Sequence, residues 1–341
     1  MRRPGTPASA LAAVVSVAVI VLLVVVLVRS RGPGTTTTAP TAPGTTTAPA
    51  TSPTTPTAPA PPPPPRWGSF AGAPPPFTRP AGGSVQVERA GTTRVVTLRR
   101  PNGTTYAQAH VDPRGRYLDA RYYGPRGSLR LVVSATLPSP VRVVPAGAAA
   151  RRRTPVRCGA DARSNSGWIW RRFPVRWHAD LASAPAGVTR PALLAALRAA
   201  RVTWIKNLNH CGIPDRSRVT FSYQGTTPRN PAKDGVSVVD FGRVAALGGV
   251  CAGTVACTLT WMNGSTAIES DTRFDRARVY STGSSRRGFD VHGLFVHESG
   301  HTLGFGHVRS PDDVMFPYAR RDDVSGRRLG RGDANENNAK Y

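Results

Sequence analysis

Residues 297–307 read His297-Glu298-Ser299-Gly300-His301-Thr302-Leu303-Gly304-Phe305-Gly306-His307. Three imidazoles and a carboxylate at this spacing have the chemistry of a metal site. On a helix, positions four apart share a face, so His297 and His301 can grip one ion. Glu298 lies about 100° round the helix from His297, where it can flank the ion without ligating it. Gly304 can take a positive φ, end the helix and turn the chain back. That return brings His307 in as a third ligand. Three protein nitrogens leave a coordination position open to water, the mark of a catalytic zinc rather than a structural one. A structural site would have no need of a base at Glu298. With 7 His, 34 Gly and 4 Glu in 341 residues, chance would give this pattern in about a few chains per million.

The motif needs a helix to carry it and a scaffold beneath that helix. Asp290 stands where the N-cap of the motif helix belongs. Upstream, Thr189 and Pro191 signal another helix start, and Ala192–Asn207 carries Leu193, Leu194, Leu197, Val202, Trp204 and Ile205. Phe173–His178, Val219–Tyr223, Val236–Phe241, Thr258–Met262 and Ala267–Phe274 read as strands. Further upstream the pattern has period two. Ser84–Val87, Arg94–Leu98, Tyr106–Val111, Tyr117–Tyr123 and Leu129–Val133 alternate between turn signals such as Pro101-Asn102-Gly103 and Gly124-Pro125-Arg126-Gly127. This predicts a small β-meander, for which a separate module, a pro-region and a spacer are all open roles.

The N-terminal quarter has another character. Ala8–Val28 is apolar except for Ser9 and Ser16, flanked by Arg2, Arg3, Arg29 and Arg31. As a helix it would be about 30 Å long, enough to cross a bilayer and longer than a signal-peptide core. The expectation is an uncleaved anchor over 1–31, with a secreted form if it is cleaved. A Thr/Pro/Ala tract follows, from which 32–83 is read as a disordered, extended linker. A stalk after an anchor suits a single-pass protein of the cell membrane whose C-terminal part faces outside. The domain reading is then 1–31 anchor, 32–83 linker, 84–150 β-meander and 154–341 metal-bearing domain.

The chain carries 45 Lys+Arg against 19 Asp+Glu, a formal net charge of +26. Only three of the basic residues are Lys, so the Arg bias reflects coding composition as much as a binding surface. It disfavours a nucleic-acid partner and leaves anionic cell-envelope polymers as a candidate one. No oligomeric state is read from the sequence. The four cysteines, Cys158, Cys211, Cys251 and Cys257, fit an oxidising compartment. They allow three pairings, of which Cys158–Cys211 with Cys251–Cys257 is favoured because each joins residues flanking a compact unit.

The HExxHxxGxxH pattern resembles the metzincin metalloproteases, and the chain is most similar to their matrixin branch. Asp313-Val314-Met315-Phe316-Pro317-Tyr318 resembles the matrixin Met-turn, with Met315 beneath the metal and Pro317 two residues on. Glu269–Phe274 resembles the edge strand that binds substrate in such enzymes. The ending from Leu329 to Tyr341 resembles their C-terminal helix, with Asp333 as its cap. Val308 follows the third His where vertebrate-type matrixins carry Ser, which favours a bacterial matrixin-like branch. Arg157-Cys158-Gly159 faintly resembles a cysteine switch without its prolines, the alternative to a disulfide at Cys158. The resemblance implies an α+β fold over 154–341: a twisted mixed sheet with two long helices and a C-terminal helix. It implies His297, His301 and His307 as ligands of one catalytic Zn²⁺, Glu298 as the catalytic base, and Gly304, Met315 and Pro317 as supporting residues. Calcium stays open, with no pattern indicating it. The expected function is a zinc endopeptidase acting on polypeptides. The alternatives are an envelope-binding protein whose basic β region does the gripping, and a zinc hydrolase of a non-peptide bond.

Overall fold

The computed structural model describes residues 75, 77–139, 158–159, 161–283 and 288–341. The expected anchor at 1–31 and most of the linker at 32–83 lie outside them. Among the described residues no helix is long and apolar enough to cross a membrane.

Five strands open the described chain: β1 (Ser84–Ala90), β2 (Thr93–Arg99), β3 (Thr105–Val111), β4 (Tyr117–Tyr123) and β5 (Leu129–Pro138). Then come β6 (Val175–Ala179), helix α1 (Arg190–Ile205), β7 (Phe221–Thr226), β8 (Val238–Gly242), β9 (Ala256–Asn263) and β10 (Thr266–Asp275). Short β11 (Tyr280–Ser281) and β12 (Phe289–Asp290) precede helix α2 (Val291–Thr302), and β13 (Tyr318–Ala319) and helix α3 (Arg331–Lys340) finish the chain. The fold is α+β, a mixed sheet with three helices, as the sequence led us to expect.

The sheet runs β1-β2-β3-β4-β5-β9-β10-β8-β6-β7, with β13 pairing β5 off this path. The meander therefore continues through β5 into β9 and β10, the strands that precede the helix bearing the histidine motif. β5 is antiparallel to β9, from Leu131↔Trp261 to Thr136↔Ala256. Its last two residues pair in parallel with β13, Leu137↔Tyr318 and Pro138↔Ala319. The burial patterns follow from these positions. Outermost β1 is exposed throughout, β3 and β4 alternate, and β5 is buried from Leu131 to Leu137 because both of its faces are covered. One face puts Leu131, Val133 and Ala135 against Val244, Leu247, Val250 and Leu259. The other face turns Thr136 towards α2.

Glu269–Phe274, expected as an edge strand, is instead internal. It belongs to β10, antiparallel to β9 and parallel to β8. The hairpin partner β9 takes its outer side, and β5 in turn covers β9. The carboxylates of this segment serve the loop before β8. Glu269 accepts the amides of Asp234 and Gly235 at 3.0 and 2.8 Å, and Asp271 those of Ala232 and Val238 at 2.9 and 2.7 Å.

α1 starts where predicted, with the Thr189 hydroxyl accepting the Ala192 amide and Pro191 in the first turn. Its buried stripe of Leu193, Ala196, Leu197, Ala200 and Trp204 packs on the sheet and on α2. Trp204 Nε1 donates to the Val296 carbonyl at 2.7 Å, tying the two helices together. Two disulfides, Cys158–Cys211 and Cys251–Cys257, match the favoured pairing. Cys158 is therefore not a free thiol, and the cysteine-switch alternative does not hold.

Candidate metal centre

α2 is capped by Asp290, whose Oδ2 accepts the Gly293 amide at 2.8 Å, as expected. Arg327 holds the same carboxylate in a two-pronged ion pair at 2.7 and 2.9 Å. Beyond the cap the helix is buried almost all round, so it has no amphipathic stripe. Gly300 lets it lie close to its neighbours, since a Cβ there would run into Met315 Sδ and the Trp204 ring. Gly304 ends it with φ +83°, and a Cβ at that position would stand 2.9 Å from the Trp168 carbonyl oxygen. Lys340 Nζ donates to the Gly304 carbonyl at 2.7 Å from the far end of the chain.

This turn brings the three predicted histidines together. Their ligand atoms lie within 4.8 Å of one another. His301 Nε2 and His307 Nε2 are 3.1 Å apart. His297 Nδ1 donates to the Val314 carbonyl at 2.6 Å and His301 Nδ1 to the Phe305 carbonyl at 2.9 Å. Those bonds occupy Nδ1 and leave Nε2 of each ring for an ion. His297 Nε2 is buried with no protein partner. Burial drives all three imidazoles towards the neutral form that a metal needs. His297 is pushed down to about 4, and His301 and His307 well below the usual histidine range, helped by one another's charge. A buried, neutral, three-nitrogen donor set fits zinc with an open position.

Glu298 is wholly buried beside them. Its Oε1 accepts the Thr136 hydroxyl of β5 at 2.5 Å and its Oε2 the Thr258 hydroxyl of β9 at 2.6 Å. Burial pushes its carboxyl up to about 7, and the two hydroxyls pull the other way. Neither threonine was visible as a site residue in the sequence. Each is one more alternating polar position in a strand, and only the pairing of β5 with β9 places them here.

Met315 lies buried against Gly300 of α2, and the Val308 amide donates to its carbonyl at 3.0 Å. Asp333, expected as the cap of α3, sits at its third position instead, and Gly330 is the N-cap. Asp333 still reaches back to the Gly330 amide at 2.9 Å. Its further role was not foreseen: it also accepts the amides of Val314 and Met315, at 2.5 and 3.3 Å. The Pro317 carbonyl accepts the Leu137 amide of β5 at 2.9 Å. Tyr318 donates its hydroxyl to Asp112 at 3.0 Å and borders two cavities. One, of about 100 Å³, is lined by Thr136, Leu294, His297 and Val314. The other, of about 460 Å³, is lined by His110, Asp119, His307, Phe316 and Pro317.

A family model described as Matrixin matches residues 251–341. Over 52 residues the chain is 40% identical to matrix metalloproteinase-25 of Mus musculus and to matrix metalloproteinase-25 of Homo sapiens. Those stretches are 15% of this chain and 8% and 9% of the two relatives. The chain thus matches less than a tenth of either relative's length. The region matched by the family model contains the Cys251–Cys257 loop, β9, β10, α2, the three histidines, the Met-turn and α3. Residues 251–341 are therefore a matrixin-like metalloprotease domain.

Proposed function

We propose that this chain is a zinc-dependent endopeptidase that hydrolyses peptide bonds in polypeptide substrates. The observation carrying this reading is the convergence of His297, His301 and His307 on one point with Glu298 buried beside them. When bound, zinc supplies a Lewis acid that makes water a nucleophile near neutral pH and polarises a carbonyl. The three imidazoles would hold the ion, and the Val314 and Phe305 carbonyls fix the tautomers of two of them. Glu298 removes a proton from the water that attacks the peptide carbon. It then delivers that proton to the amine nitrogen as the C–N bond breaks. Its carboxyl, raised to about 7 by burial, is poised to do both near neutral pH. Tyr318 and Pro317 wall the space beside the reacting bond.

The test is Glu298→Gln, which keeps the shape and removes the base. Zinc content should stay at the parental level while cleavage of a quenched peptide library falls by about 10³-fold or more. Parental cleavage by a zinc-loaded Glu298→Gln protein would sink the assignment. We further propose that Ala8–Val28 anchors the chain in the cell membrane with the peptidase outside. Release of activity by carbonate washing of membranes would refute that anchor.

A further inference from the structure

We propose that β5 is an internal pseudosubstrate: the chain's own strand fills the slot in which a substrate backbone must dock, so the full chain is latent. This rests on the peptidase reading above.

A peptide to be cleaved must bring a carbonyl to the space between Glu298 and the Nε2 of His297. Extended peptides commonly reach such a place by adding a strand to a sheet edge. The strand beside Glu298 is β9, which carries Thr258 and has β10 on one side, leaving its other side as the one on which a peptide could add. That side is taken by β5, antiparallel and six residue pairs long. At its C-terminal end β5 is gripped again by the segment after the Met-turn. The Leu137 amide donates to the Pro317 carbonyl at 2.9 Å and the Ser139 amide to the Ala319 carbonyl at 2.7 Å. Between the two grips lies Thr136, 1% exposed, with its hydroxyl on Glu298. The strand therefore crosses the site directly at the group that must activate water.

The same geometry explains why β5 would block the site without being cut. Side chains of a strand stand perpendicular to the sheet, and carbonyls lie along it. Thr136 offers Glu298 its side chain, while its carbonyl oxygen accepts the Val255 amide at 2.7 Å. The bond that would have to be attacked is held in the ladder. Leu131, Val133, Ala135 and Leu137 are each under 5% exposed, so the strand is seated in a packed core. Substrate would have to displace it.

The experiment uses the zinc-loaded full chain and Leu137→Pro/Ser139→Pro, which removes the two amides that grip Pro317 and Ala319. Cleavage of a quenched peptide is measured for both. In parallel, hydrogen exchange of the β5 amides is followed in the unmodified chain with and without a peptide hydroxamate. We expect kcat/KM to rise at least tenfold in the double variant, and hydroxamate binding to strip the protection of β5. Equal zinc-dependent cleavage by both forms, or β5 amides that stay protected with hydroxamate bound, would overturn the proposal. β5 would then be a fixed wall of the cleft. If the double variant does not fold, the exchange measurement on the unmodified chain decides alone. Absence of both cleavage and hydroxamate binding in both forms would instead defeat the peptidase reading, and this inference with it.

Discussion

Asp333 accepts the Val314 amide at 2.5 Å, and the Val314 carbonyl accepts Nδ1 of His297 at 2.6 Å. The first turn of α3 thus reaches the candidate metal site through a single residue of the Met-turn, Val314. Asp333→Ala would leave the amides of Val314, Met315 and Gly330 without their buried acceptor. Each unsatisfied buried amide costs about 1–3 kcal/mol. Loss of such an outer support lowers metal affinity by roughly 10–100-fold. We expect both effects, with Asp333→Asn between the parent and Ala. A chelator competition titration and thermal unfolding of the metal-free protein would measure them. An Asp333→Ala protein with parental zinc affinity would show that the Met-turn holds His297 unaided.

Zinc binding should be unusually tolerant of acid. Protons compete with metal for an imidazole only below its pKa, and burial lowers all three here, His297 to about 4. Three ordinary histidines with pKa near 6.5 would weaken zinc binding by roughly a thousandfold at about pH 5.5. In this protein the proton-competition loss should stay below about tenfold over the same range. Competition titrations at several pH values between neutral and mildly acid would check this. A steep loss beginning near the ordinary histidine pKa would mean the metal-free imidazoles are solvated.

Thr258 should tune the base. Its hydroxyl stabilises the charged form of Glu298, so removing it raises a carboxyl that burial already holds up at about 7. A raised pKa keeps the acid protonated to higher pH and costs activity on the acid side. Thr258→Val should move the acid limb of the kcat/KM profile upward by about one pH unit, leaving the alkaline plateau unchanged. A uniform fall at every pH would instead point to a packing defect.

What the sequence revealed and what it hid divide along contact distance. The candidate metal site is local: eleven consecutive residues specify a helix, its glycine stop and the return of His307, and each piece has its own chemical signature. Strand positions in the meander followed from period two for the same reason. The partners of Glu298 are different, because Thr136 is 162 residues away in the chain. Which strand forms the edge of the sheet is likewise decided by long-range pairing. Glu269–Phe274 carries the alternation of any half-buried strand, and nothing in it discloses that β9 and then β5 lie outside it. Asp333 has the signature of a helix cap, and its grip on the Met-turn depends on where α3 docks.

The two disulfides should contribute unequally. A cross-link stabilises chiefly by restricting the unfolded chain, more so for a longer loop. Cys158–Cys211 spans 53 residues and Cys251–Cys257 spans 6. Loop entropy gives about 4 kcal/mol for the first and about 2 kcal/mol for the second. Paired Cys→Ala variants, unfolded in denaturant and compared at equal zinc occupancy, should keep that order. The short bridge is the more buried, with Cys251 and Cys257 both at 0% exposure. Both cysteines belong with Ala135 and Leu259 to the buried core that seats β5 on β9, where Cys257 pairs with Ala135. If losing the short bridge proves the more damaging, packing in that core rather than loop closure governs its contribution. Loosening of β5 should then accompany the loss, visible as faster hydrogen exchange in that strand.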